Sequence, residues 1–114
     1  MPERIQMTRQ KPWRRDNPDA VIVDRSSRWG NPFRVDGKRV LCGIELWVFP
    51  STEAAVAHAV RAFRWQLENH PNVVGFTVDD VRRELAGRDL ACWCATGQPC
   101  HGDVLLEIAN GAAQ

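Results

Sequence analysis

The chain lacks any hydrophobic run approaching the length of a membrane span. Its first residues, MPERIQMTRQKPWRR, carry charge where a secretion signal needs an apolar segment. The expectation is a cytoplasmic protein that makes no membrane contact and keeps its thiols reduced. Internal repeats, low-complexity tracts and linker-like stretches are also missing, so residues 1–114 read as a single domain. Cysteine is sparse, at 4 residues. Two of these, Cys92 and Cys94, share one face of an apparent strand, which argues against a disulfide framework.

What remains is an ordinary globular composition, 44% hydrophobic and 25% charged, long enough at 114 residues to bury a core without covalent staples. The net charge of +1 hides an asymmetry. Residues 1–39 hold ten Lys/Arg and five Asp/Glu, whereas residues 40–114 hold five and nine. A basic front half suits a phosphate-bearing partner, a small molecule or nucleic acid. It equally suits arginines that pair with acids of the other half.

Residues 1–19, with Pro2, Pro12 and Pro18, read as an extended basic arm, followed by a body over 20–110. AVIVD (20–24) is a short β-branched run that predicts a buried strand. Asp36-Gly37 predicts a hairpin turn, and IELWVFP a further strand. Val56, Ala59, Val60, Phe63 and Leu67 recur at helical spacing in a helix from Ser51 to about Asn69. Thr77 and Asp80 resemble a capping box for a second helix, which Gly87 ends. DLACWC predicts another strand, with Trp93 packed under a helix on its far face, and a last helix carries Val104, Leu105 and Ile108. The order predicts an α/β fold: a mixed, mostly parallel sheet flanked by helices, with a β-hairpin. If the strands before RSSRWGNPF and ATGQPCH are parallel neighbours, those two loops meet at one crevice.

Three cysteines and a histidine fall within positions 92–101. Three readings fit. Cys92, Cys94, Cys100 and His101 are the ligand types of zinc, although neighbours such as Cys100 and His101 diverge around a helix. A catalytic reading uses Cys94 and Cys100 as thiols, Cys100 at a helix start that favours negative charge. His101 is then the acid/base, and Asp103 orients it or caps the helix. The third reading makes Cys92 and Cys94 small buried hydrophobes. In the first loop, Arg25 and Arg28 would hold an anion, while Trp29, Gly30 and Asn31 would shape the pocket. His58 and His70 read as surface residues, and Trp65 lies off the apolar face of its helix.

The succession RIQMTRQKPWR, VIVDRSSRWGNPF and LACWCATGQPCHGDVLLEIAN resembles the bacterial and phage family catalogued as domain of unknown function 4326. The likeness runs from about Arg4 to Asn110. Asp24 and Ser26 stand where related sequences often carry Gly and Pro, and Ala95-Thr96 replaces a proline-led turn. None of these touches Arg25, Trp29, Asn31, Cys94, Cys100 or His101. A shorter likeness, to other uncharacterised bacterial domains that end a strand with a cysteine and begin the next helix with Cys-His, implies a small α/β protein and favours no cofactor, with zinc the alternative at the cysteine cluster. Neither likeness assigns an activity, so an enzyme and a non-catalytic phage or bacterial binding protein both stay open.

Overall fold

The computed structural model describes residues 2–10, 12–95 and 97–111; Thr96 of the Ala95-Thr96 turn, and Met1 and Lys11 of the arm, lie outside them. Its elements run β1 (Arg4–Gln6), α1 (Trp13–Asp16), β2 (Val21–Ile22), β3 (Arg34–Asp36), β4 (Arg39–Cys42) and β5 (Glu45–Val48), then α2 (Thr52–Asn69), α3 (Pro71–Val74), α4 (Val78–Leu85), β6 (Leu90–Cys92) and α5 (His101–Ala109).

Leu90, Ala91 and Cys92 carry nothing that needs water, and all three are buried. They form the central strand of a parallel sheet ordered β1-β6-β2. Parallel strands covered on both faces read as unbroken apolar runs, as this one does. Arg4 and Val21 both pair with Leu90, and Ile5 and Ile22 both pair with Ala91. The last strand in sequence therefore lies between the first two. Arg4–Gln6 is extended, as expected of the arm, but it is built into the sheet, and Met7 is buried beyond it. Further on, α1 is a single turn in which Arg14 lies over its neighbour Trp13, 5.1 Å from the ring centre.

The antiparallel strands form a separate sheet, β3-β4-β5, instead of extending the parallel one. Asp36 pairs with Arg39, leaving Gly37-Lys38 as a two-residue loop, and Gly37 supplies the positive φ of 62° that the tight turn requires. Cys42 pairs with Glu45 around Gly43-Ile44, a second hairpin with the same glycine chemistry.

Ser51 caps α2 by accepting from the Ala54 N–H at 3.0 Å. The helix buries Ala55, Ala59, Phe63 and Leu67, one step around from the expected stripe, so Val56 and Val60 are only half-buried. The shift lets α2 serve two cores. Its Phe63 and Leu67 join Trp29, Phe76, Leu85, Leu90 and Leu105 in the larger one, and Ala55 and Ala59 join Phe33 and Val40 in the smaller. The capping box at α4 forms in full: Thr77 Oγ1 accepts from Asp80 N–H, and Asp80 accepts in return from Thr77 N–H. Such a cap contributes about 1 kcal/mol. No helix of the described residues is long and apolar enough to cross a membrane.

Candidate functional site

β2 and β6 are parallel neighbours, so the chain leaves both at the same edge of the sheet. The two loops expected to meet do so. Arg25, Ser26 and Asn31 from one, and Cys94, Pro99 and Cys100 from the other, line a crevice of ≈ 550 Å³ closed below by Val56, Ala59 and Val60 of α2.

The sulfur atoms of Cys92, Cys94 and Cys100 lie within 4.8 Å of one another on its floor, and Cys92 and Cys94 are 3.8 Å apart. Cys92 and Cys100 are buried and Cys94 is half-buried. These three close cysteines form a group able to hold a metal ion; His101 does not belong to that group. Cys100 also caps α5, its sulfur accepting the Gly102 N–H at 3.4 Å. The trio titrates as a unit. The neighbouring Cys100 and then Cys94 thiols hold the Cys92 pKa below its ordinary value, against the effect of burial. Cys100 and Cys94 keep their protons to higher pH.

His101 is buried against Phe63, with ring centres 5.2 Å apart. Its Nε2 lies 2.7 Å from the Val23 carbonyl oxygen, which only accepts, so Nε2 carries the proton. Nδ1 is then bare and faces Cys100 Sγ at 3.9 Å. Burial lowers the His101 pKa and outweighs the opposing pull of the Val23 carbonyl. A neutral ring in a fixed tautomer results.

Asp103 does not orient this ring. It accepts from Arg4 Nε at 2.9 Å, because Arg4 enters from β1 between α5 and the loop. Only 6% of the Arg4 side chain is exposed. Its Nη1 donates to the Cys94 carbonyl at 2.9 Å, and its Nη2 to those of Ala95 and Gln98 at 2.9 and 3.0 Å. Burial pulls the Arg4 pKa down; the bond to Asp103 and the nearby Cys100 sulfur outweigh it, so the net shift is upward. Gly102 leaves room for this arrangement: a Cβ there would meet Arg4 Cδ at 3.1 Å.

The first loop divides. Arg25 lines the crevice, exposed and without an ion pair among the described residues. Arg28 turns away: it bonds Glu84 of α4 at 3.1 and 3.2 Å and stacks 4.6 Å over the Trp29 ring. Trp29, expected to help shape the pocket, is a core residue, 5% exposed and edge-on to Phe76 at 4.7 Å. The cause is the tight turn before it, which folds the indole under the loop. Gly30 permits that turn, since a Cβ would meet Arg25 Cα at 2.7 Å. Asn31 reaches the crevice wall but spends its amide on structure, donating to the Ala59 carbonyl at 3.1 Å and accepting from Phe33 N–H at 2.9 Å.

Three wall or support residues escape the sequence reading. Arg34 lines the crevice from β3, exposed and without an ion pair among the described residues. Trp93 was expected beneath a helix. It is 50% exposed, lines the crevice, and donates from Nε1 to Asp24 Oδ2 at 2.9 Å. The third is Arg4, where the only available signal was an extended Arg-Ile-Gln run.

The family model of the domain of unknown function DUF4326 matches residues 5–111, and the chain belongs to that family. No curated protein and no solved structure matches it.

Replacing Arg4 by Ala leaves three carbonyls and Asp103 without their donor. The expected loss is about 2–4 kcal/mol of stability, read as a lower urea midpoint. Arg4→Lys recovers little of it, because an ammonium cannot reproduce the planar fork.

Proposed function

We propose that this member of a family of unassigned activity binds a phosphate-bearing ligand of nucleotide size in the crevice. The observation that carries the reading is the pair Arg25 and Arg34. Both line the crevice, and neither has a carboxylate partner among the described residues. A guanidinium's fork of donors matches phosphate oxygens. The half-exposed Trp93 ring gives a base a face to stack on. The volume falls within the range of small-ligand pockets. Below the ligand, the shared thiolate of the cysteine trio supplies a nucleophile, and His101 Nδ1 a proton acceptor beside Cys100. The four free cysteines suit a reducing, intracellular setting.

Isothermal titration with ADP tests this. Wild-type protein binds in the micromolar range, and the R25A/R34A double variant binds at least tenfold more weakly, as loss of charge-assisted bonds requires. Equal affinity in both proteins, or no binding at millimolar ADP, refutes the reading.

A second reading has its own support. Two sulfurs on one tetrahedral zinc ion are separated by roughly 3.8 Å, given Zn–S bonds of about 2.3 Å. The Cys92–Cys94 separation of 3.8 Å meets that spacing. We infer zinc as the ion that Cys92, Cys94 and Cys100 would take, which makes the cluster structural in a binding protein or adjoining in an enzyme. Elemental analysis of protein purified from zinc-supplemented medium is expected to give one zinc per chain, lost in Cys94→Ser. A metal-free wild type whose cluster thiols react without a chelator rejects zinc.

A further inference from the structure

A second cavity, of ≈ 510 Å³, lies between α2 and the inner face of the antiparallel sheet. It is separate from the crevice: among the described residues, Phe33 alone lines both. One wall is β5, where alternation puts Glu45 and Trp47 on the same face. The other is α2, which presents His58, Arg61, Ala62, Trp65 and Gln66, a helical face adjoining the one it buries in the core.

The side chains there have unmet requirements. Gln66 Oε1 is buried and has no hydrogen-bond donor among the described residues. Arg61 and Glu45 are exposed and have no ion pair among the described residues. Trp65 is 53% exposed on the cavity wall, with the His70 ring tilted against it at 5.2 Å between ring centres. Across from it, Trp47 is held in place by His58, with ring centres 5.9 Å apart. The cavity therefore offers two aromatic faces, two acceptors and one forked donor. Its complement is a flat ring with a donor edge and a separate acceptor edge.

We propose that this cavity is a binding site for a guanine base. Guanine carries N–H donors on its Watson–Crick edge, for Glu45 and Gln66, and presents O6 and N7 on the other, the pair that arginine reads with two bonds. Trp47 and Trp65 supply the stacking surface. Adenine has a single donor group and lacks O6, so it leaves Arg61 half-used. The inference does not depend on the crevice reading, as Arg25, Arg34, Trp93 and the thiols take no part in it.

Guanosine, which has no phosphate, is the probe, followed by tryptophan fluorescence and isothermal titration against adenosine. Guanosine is expected to bind at least tenfold more tightly than adenosine. Glu45→Gln, Arg61→Ala and Trp65→Ala each weaken it about tenfold, and R25A/R34A leaves it unchanged. All three positions are exposed, so circular dichroism is expected to show an intact fold. A trinucleotide with a central guanine identifies the source: tighter binding than guanosine assigns a base on a strand, equal or weaker binding a free nucleoside. Equal affinity for the two nucleosides, no guanosine binding at millimolar concentration, or wild-type affinity in E45Q and R61A overturns the site.

Discussion

The guanidinium of Arg4 holds the candidate site together. From the edge strand β1 it reaches across the end of β6 and bonds the carbonyls of Cys94, Ala95 and Gln98, with Asp103 as its counter-ion. Those carbonyls belong to the turn that brings Cys100 back onto Cys92 and Cys94. A loop of this kind has no ladder to satisfy its backbone, and buried carbonyls left unpaired are costly. One arginine pairs with the half-buried carbonyl of Cys94 and with the exposed ones of Ala95 and Gln98. The convergence of the sulfurs thus depends on a residue 90 or more positions from the carbonyls it holds, brought close by the insertion of β6 between β1 and β2.

Local signals carried most of the fold. The capping box at Thr77, the glycine of the Asp36-Gly37 hairpin and the period of α2 each depend on residues a few positions apart, and each is legible in one window. The separation into two sheets was not, because alternation marks a strand without naming its partner. The N-terminal segment shows the same limit. Three residues, Arg4 to Gln6, are too few for a pattern, and only the long-range pairing with Leu90–Cys92 makes them a strand.

The site was legible in kind and only in part by residue. Parallel strands ending in polar loops predicted the meeting of RSSRWGNPF with CWCATGQPCH, and Arg25, Cys92, Cys94, Cys100 and His101 do line one crevice. Trp29 and Arg28 do not. An indole beside a glycine serves a core as readily as a pocket, and Arg28 found acids on α4 that no spacing rule foretells. The basic front half is in part explained this way, since Arg4 and Arg28 pair with acids of the back half. Arg25 and Arg34, which have no ion pair among the described residues, are distinguishable from these only in three dimensions.

We propose the crevice over the cysteine trio as the place where this protein meets its ligand. The most direct measurement is a two-dimensional amide NMR titration of the wild-type chain with a nucleoside diphosphate. Binding in the crevice gives saturable shifts concentrated at residues 24–34 and 92–101, with the indole N–H of Trp93 among the largest. Shifts absent at millimolar ligand, or confined to surfaces away from those two loops, would contradict it.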